Sequence, residues 1–548
     1  MAEAPGTTQP PIRSWDQGLA PSYIALFLWV GFFDQLAGTT LAIGGLAWSA
    51  LGAATAGLLC YQLLYYVPAM WGHAARRPLA GVAQSTFGTA GAHLVPGALM
   101  GLVQIGWLAV ATYYATDFTL KGLAVGRLID PRLLDPIAWR GVGLRSPLFL
   151  STALAWTFAF ASVGAWAVRL IEAIMRVFPV FPALLLGAAM VWGLGGLENF
   201  APTGFDPVTA EPVENGGPRA ALTMIQLVFA FFATAGAAAA DWGAAARDRR
   251  DVRLGGLVGV AMGATVLAVV ALATVAGTLG RRPLPQALAV ELEPLADLKR
   301  LNEMQMQMQM HAAPQQVEKA NQLIEKVQRD VRAVGASPFS FGTAVGQGIG
   351  GRGGAAILLI FGLGSMAPAV YASHLIGVRF SAAWPTLSRT SWTMLGATAS
   401  LPIVATGLAA HTGVIFGVLG AAFAPVVGAL AADYVRRKGR WAGPRRGANL
   451  AGWLAWAIGL AVGLAPWVGP ALGKEGWARI QPAAVLAFLA AFVSYSVLAA
   501  VGCEPPVVAD SDGGPTVQDQ AMESVSVMRS NLADPSAHPM RWSRGRAS

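Results

Sequence analysis

Apolar residues gather into long runs separated by short polar stretches over almost the whole chain. About twelve runs are long enough to cross the roughly 30 Å of a bilayer core: 22–47, 51–72, 93–118, 146–166, 170–194, 219–242, 254–279, 354–377, 387–410, 413–434, 447–468 and 481–502. They predict an N-terminal tail (1–21), a membrane region with seven helices (22–280), a polar insertion (281–353), a membrane region with five helices (354–503) and a C-terminal tail (504–548). Composition agrees: 55% of residues are hydrophobic and 12% charged, with mean hydropathy +0.52, which excludes a soluble domain of this length. The N-terminal tail has Asp16 and several prolines but no basic n-region or small-residue cleavage site, so it reads as retained.

Basic residues in short loops set the expected orientation. Arg247, Arg249, Arg250 and Arg253 follow span six, and Arg436, Arg437, Lys438, Arg440, Arg445 and Arg446 follow span ten. Both clusters fall inside if both termini are cytoplasmic, and the loop after span five is acidic (Glu198, Asp206, Glu211, Glu214). Lys121, Arg127, Arg132, Arg140 and Arg145 oppose this assignment, and the two denser clusters outweigh them. The expected location is the cell (inner) membrane. The net charge of +9 then reflects topology and anionic lipid, with no need for nucleic acid. Cys60 and Cys503 are too few for a disulfide framework or zinc site and read as packing residues.

The insertion is external in this topology. Val317, Ala320, Ile324, Val327, Val331 and Val334 recur at helical spacing with Glu325 and Arg329 four apart, predicting an amphipathic helix over 315–334 on the outer surface or against a partner. Upstream, Met304 to Met310 alternates with glutamine before His311. Thioethers can bind Cu(I), but a low-complexity tract is the simpler reading. Gly346 to Gly351 satisfies G-x-G-x-x-G, yet no strand precedes it and it opens a membrane span, so a dinucleotide loop is excluded by context. The tail from Glu504 is rich in Pro, Ser, Asp and Gly and is expected to be disordered.

Polar groups inside the spans are the candidates for chemistry. Span one carries Asp34, Gln35 and Gly38-Thr39-Thr40 halfway along. A carboxylate at that depth costs a few kcal/mol and normally faces a wet cavity, a partner or an ion. The Gly-Thr-Thr run is expected to weaken the helix and free carbonyls, as in the broken helices that line transporter sites. Span three places Gln104 and Trp107 on one face, a carboxamide and an indole suited to a flat polar heterocycle, or else to helix packing. Span six is dominated by small residues that favour close packing. Its Phe231-Phe232 and Ala235-Gly236 echo Phe32-Phe33 and Ala37-Gly38 of span one, five spans earlier.

These pieces resemble the purine-cytosine permease, or nucleobase:cation symporter, family, which includes cytosine and hydantoin permeases. The likeness runs from Pro21 to Cys503. It rests on Arg77-Pro78-Leu79 through Ser85-Thr86-Phe87-Gly88 into Gln104-x-x-Trp107, on Thr234-Ala-Gly with Ala240-Asp241, on Tyr371-Ala372-Ser373, and on Ala424-Pro425-Val426-Val427-Gly428 with Ala432-Asp433-Tyr434. The resemblance implies an all-α polytopic protein with a LeuT-type 5+5 inverted repeat and two additional helices. It implies a substrate between helices one, three, six and eight, with Trp107 and Phe232 sandwiching a ring and Gln104, Thr234 and Gln35 meeting its edge. It implies a sodium site of carbonyls near Phe33, Leu36 and Phe361 plus the Ser365 hydroxyl.

Two departures bear on this. Helix eight lacks the family's asparagine and has Gly364-Ser365 where two adjacent hydroxyl residues usually stand, and Phe231 replaces a smaller polar residue, which argues against cytosine. Asp34 would compensate by supplying a cation oxygen or binding a coupling proton; alternatively it is paired with Gln35 or a helix terminus. Asp241 is expected to face the arginines of the next loop as an inner gate or structural anion. The expected function is import of a small flat nitrogen heterocycle with Na+ or H+, without a cofactor. A transport-incompetent receptor or scaffold, or a carrier of an unrelated solute, is the alternative. No H-E-x-x-H, G-x-S-x-G or comparable set supports an enzyme.

Overall fold

The structure is a computed structural model and describes residues 14–139, 142–167, 170, 174, 179–202, 213, 215–281 and 339–508. Span one is three pieces: α1 (Leu19–Phe27), α2 (Val30–Phe33) and the start of α3 (Leu36–Leu59). The axis bends by 58° after α1, where Trp29 takes extended angles (φ −71°, ψ 129°). A second interruption falls at Asp34 and Gln35. The Gly38-Thr39-Thr40 run, expected to weaken the helix, lies inside α3 instead. There the Thr40 hydroxyl donates to the Leu36 carbonyl one turn back (2.6 Å), a bond a helix accommodates, so the chain breaks before the run. At Gly45 (φ 70°, ψ −176°) α3 turns sharply and span two begins, a backbone conformation open to glycine.

Span two continues through a π-helical turn (Cys60–Tyr65) into α4 (Tyr66–Ala75). Span three runs from a π-type segment (His93–Ala98), non-helical at Val95, into α5 (Leu99–Val125). The Ser146 hydroxyl accepts the Phe149 N–H (3.1 Å) and starts α6 (Pro147–Trp166), followed by α7 (Val180–Leu194). Span six is α8 (Gly216–Ala237) and α9 (Ala239–Gly243), parted at Ala238. Span seven is α10 (Arg249–Gly256), a π-helical turn (Leu257–Met262) and α11 (Gly263–Arg281). A short helix α12 (Phe341–Gly348) precedes span eight, α13 (Gly351–Gly364) and α14 (Met366–Ala383), parted at Ser365. Then come α15 (Arg389–Ala405), α16 (Thr412–Arg436), α17 (Leu450–Ala471) and α18 (Ala483–Ala500).

Among the described residues nine helices are long and apolar enough to cross a membrane, ten with the bent first span. The other two expected spans correspond to α7 and α15, with 15 and 17 residues. The irregularities recur five spans apart. Spans one and six are interrupted, spans two and seven each carry a π-helical turn, and spans three and eight are interrupted. That is the pattern of a five-plus-five repeat. The halves pack against each other: α3, most of it span two, packs along α8, and α5 runs beside α13 and α14. Close approach needs small residues, as expected; a Cβ on Gly236 of α8 would stand 2.7 Å from the Leu64 Cβ.

Four expectations need correction or placement. The 315–334 helix and the Met304 to His311 tract lie outside the described residues. The glycine run 346–351 closes α12 and turns into α13, with Gly350 and Gly351 at φ 62° and 54°, so span eight begins before 354. The C-terminal tail is not disordered from its start. Arg445 and Val507 form a β-bridge, Val508 N–H donates to Pro444 O (2.9 Å), and Glu504 pairs with Arg437 (3.2 Å) and Arg445 (2.9 Å). The Arg445 side chain is only 4% exposed, and a buried guanidinium needs such a partner. Residues 509–548 lie outside the described residues. Finally, two cations that opposed the orientation, Lys121 and Arg145, both pair with Asp117 (2.7 and 3.2 Å) and so weigh little as loop charge. Cys60 is buried with its thiol toward Val228 O (3.8 Å), and both cysteines are free.

Candidate functional site

The breaks in spans one and eight meet in the middle of the bundle. Extended angles at Trp29 turn its indole inward, where its N–H donates to the Ser365 hydroxyl (3.2 Å). The Ser365 Oγ in turn reaches the Phe361 carbonyl (3.5 Å). The Trp29 ring touches Trp107 (5.8 Å between centroids), Phe231 (6.3 Å) and Tyr114 (6.4 Å). Gly31 makes room for it: a Cβ there would lie 2.5–2.7 Å from three indole atoms.

Beside it, the Trp107 N–H donates to the Thr234 hydroxyl (3.2 Å), joining spans three and six. Phe231 meets Trp107 edge-on (5.2 Å, 86°), and Phe416 of α16 touches both (5.6 and 5.2 Å). Gln104, buried one turn earlier on α5, donates to the weak acceptor Met100 Sδ (3.6 Å). The expected sandwich of Trp107 and Phe232 is not formed. The Phe232 ring lies against Phe27 (5.7 Å, 23°) and Tyr23 (5.5 Å), because adjacent helical residues point about 100° apart. Phe231 is the residue that faces Trp107. Trp29 was missed altogether; its one sequence signal is an indole at mid-span two residues before a glycine.

Of the residues expected around a cation, Phe33, Phe361 and Ser365 lie together. The Phe33 ring packs edge-on against Phe361 (5.8 Å) and Phe341 (4.9 Å). The Leu36 carbonyl takes the Thr40 hydroxyl, the Phe361 carbonyl takes Ser365, and Ser365 takes the Trp29 N–H. Among the described residues no group of three or more His, Cys, Asp or Glu side chains is placed to hold a metal ion.

Asp34 has its own set of donors. Gly342 N–H donates to one carboxylate oxygen (2.8 Å), and Gln35 Nε2 (2.6 Å) and Tyr114 Oη (3.3 Å) donate to the other. The Asp34 carbonyl accepts the Phe341 N–H (2.9 Å). The carboxylate, 3% exposed, is therefore bonded to its neighbour and to the N-terminus of α12. Gln35 is engaged with Asp34. Asp241 meets a different partner from the one expected: Arg379 of α14 (3.3 Å), together with the Leu79 N–H (2.7 Å), at the other end of the bundle.

No family model matches the chain, and no curated protein matches it. Solved structures do. Mhp1, a nucleobase-cation-symport-1 family transporter, in a closed conformation with bromovinylhydantoin bound, superposes with a TM-score of 0.51 at 13% identity, covering 95% of this chain and 99% of that one. Mhp1 in an inward-facing conformation gives 0.52 at 15% identity, covering 95% and 98%. The resemblance carried by the sequence motifs holds at the level of the fold: this integral membrane chain has the fold of the nucleobase-cation-symport-1 transporter Mhp1.

Proposed function

We propose that the chain is a secondary-active transporter that imports a small flat nitrogen heterocycle in symport with Na+ or H+ by alternating access. The carrying observation is that the interruptions of spans one and eight meet at the Trp29–Ser365 bond, next to Trp107, Thr234 and Phe231. Discontinuous helices at mid-membrane depth are how transporters present polar groups to a substrate and an ion. Here the lining is flat rings with one amide and two hydroxyls, which suits a planar ring stacked by its faces and hydrogen-bonded at its edge.

In this reading Trp107 and Phe231 supply the aromatic surface on which the ring packs, and Gln104 and Thr234 bond its edge. The Phe33, Leu36 and Phe361 carbonyls with Ser365 Oγ are the oxygens available to Na+, and Asp34 is the group available to a proton. The test is a thermal-shift screen of nucleobases, hydantoins and related rings on purified protein, with sodium and pH varied, since a bound ligand stabilises by mass action. The expected result is a cation-dependent shift that Trp107→Ala removes. Silence across the panel from folded protein would overturn the heterocycle assignment.

A further inference from the structure

Spans two and seven, which carry the π-helical turns, pack against each other along a seam of small residues. A Cβ on Gly57 would stand 2.6 Å from both the Ala261 carbonyl and the Thr265 hydroxyl, and one on Gly256 would strike the rings of Tyr65 and Tyr61. The Tyr65 hydroxyl fastens the seam by donating to the Val252 carbonyl (2.7 Å). Beside this contact each helix turns one face out of the bundle. On span seven the exposed positions run Arg249, Arg250, Arg253, Leu257, Met262 and Val266. The step of five from Leu257 to Met262 falls in the π-helical turn, whose wider winding keeps the stripe on one side. On span two the exposed stripe is Leu51, Leu58 and Gln62, with Tyr61 and Tyr66 half-buried at its end. Leu58 follows Gly57 and Val266 follows Thr265, each by about 100° of helix; because the two helices are antiparallel, that step carries both side chains to the same side of the seam.

One end of the seam is cationic and rich in hydroxyls. Arg249 and Arg253 lie four apart on α10, and both charges bear on the Tyr434 hydroxyl of α16; Arg253 also bears on Tyr61. The Tyr61 and Tyr66 rings touch (6.3 Å). The acids of α10 and its cap are already engaged: Asp251 pairs with Arg247 (3.0 Å), and Asp248 accepts the Asp251 N–H (2.7 Å). Among the described residues Arg249, Arg250 and Arg253 make no side-chain hydrogen bond or ion pair, and neither do the hydroxyls of Tyr61, Tyr66 and Tyr434. The three arginines also stand in the first turns of a helix, the positive end of its dipole, where an added anion is favoured and a cation is not.

We infer that the seam between spans two and seven binds one anionic phospholipid from the leaflet at that end. Arg249 and Arg253 take the phosphate, the tyrosine hydroxyls donate to its oxygens, and an acyl chain lies along Leu58, Leu257 and Met262. Charge complementarity selects the phosphate: guanidinium groups take its oxygens in pairs, and each basic group at a membrane surface adds to the binding of anionic lipid. The unbroken run from cations to lipid-facing apolar side chains selects a lipid over a soluble phosphate, which would touch only the first two turns of span seven. The inference uses only the membrane placement of these two spans and stands apart from the transport reading.

The test titrates delipidated full-length protein in detergent with dioleoylphosphatidylglycerol, with dioleoylphosphatidylcholine and with glycerol 3-phosphate, and counts bound ligand by native mass spectrometry. The first phosphatidylglycerol should bind about fivefold or more tighter than phosphatidylcholine, and glycerol 3-phosphate should compete weakly. The double variant Arg249→Gln/Arg253→Gln should lose about tenfold or more of that affinity. Lys438→Gln/Arg440→Gln removes the same charge from exposed positions at the same end of the bundle and should leave it within about twofold. Equal binding of the two lipids, no loss in the arginine variant, or the same loss in both double variants would overturn the site. Competition by glycerol 3-phosphate as strong as by the lipid would overturn the lipid as its occupant. Melting curves show whether each variant is folded. If the arginine pair cannot be removed together, Arg253→Gln alone decides: weaker phosphatidylglycerol binding at a native melting temperature supports the site, and unchanged binding overturns it.

Discussion

Phe231 and Phe232 are adjacent, both essentially fully buried, and packed against different partners. Phe231 stands against Trp107, Phe416, Trp29 and Phe32; Phe232 stands against Phe27 and Tyr23. Replacing either by leucine keeps most of the volume and removes ring contacts worth about 0.5–1.5 kcal/mol each, so Phe231→Leu, which loses more such contacts, should lose more thermal stability than Phe232→Leu. Ligand binding should separate them. An aromatic face stacked on a heterocycle is worth about 1–3 kcal/mol. Phe231→Leu should therefore weaken a heterocycle identified in the screen by about 5- to 150-fold. Phe232→Leu, a packing change one side removed, should alter affinity by less than about threefold. Isothermal titration on both variants, with melting curves as the stability control, measures the difference. Loss of affinity in Phe232→Leu with native affinity in Phe231→Leu would refute the assignment and restore the pairing expected from sequence.

Three further outcomes follow from contacts away from the rings. Gly31→Ala puts a Cβ against the Trp29 indole and should cost about 1–3 kcal/mol by overpacking, read as a lower melting temperature and altered tryptophan fluorescence. Truncation after Cys503 removes Glu504 and leaves the Arg445 guanidinium buried without its carboxylate, which should cost about 3–5 kcal/mol by the same melting assay. Asp433, fully buried at the end of α16, accepts from Ser85 (2.8 Å), Thr86 (3.0 Å) and Arg437 (3.1 Å). Asp433→Ala should destabilise by about 3 kcal/mol and Asp433→Asn by less, and a double-mutant cycle with Thr86→Val should give a coupling near 1 kcal/mol.

Much of the membrane architecture was legible because hydrophobic run length is a local property: among the described residues the nine long apolar helices and the bent first span fall on ten of the twelve expected runs. Asp34 was legible as a special position for a similar reason: one carboxylate inside an apolar run has few explanations. The bend at Trp29 was not, since Leu28 and Val30 on either side are as apolar as the rest of the span, and only the packing of an indole against Gly31 reveals it. The helix α12 was hidden by its composition, because Gly342, Gly346 and Gly348 lower helix propensity and the segment is held by tertiary contacts to Asp34 and Phe33. The first residues of the tail were read from composition as disordered, whereas the contacts that order them come from Arg437 and Arg445, which lie near in space and some sixty residues away in sequence.

The echo between spans one and six gains a physical meaning in the structure. The first phenylalanine of each pair, Phe32 and Phe231, touch with centroids 4.8 Å apart and ring planes tilted by 50°. A contact between equivalent positions of two repeats places them beside the pseudo-twofold axis that relates the halves. Past that point the halves differ. The residues after Phe33 are Asp34 and Gln35, bonded to each other and to α12, whereas those after Phe232 are Ala233 and Thr234, of which the hydroxyl serves Trp107. A symmetric scaffold thus carries an acid on one side and a hydroxyl on the other. If the acid holds α12 and the hydroxyl orients the indole at the ring site, the two substitutions should separate when read by melting temperature and by ligand affinity: Asp34→Ala should destabilise the fold by about 1–3 kcal/mol without altering the Trp107–Thr234 contact, and Thr234→Val should weaken ligand with a smaller loss of stability. Parallel effects of the two substitutions on both readouts would mean that the halves do not divide the work in this way.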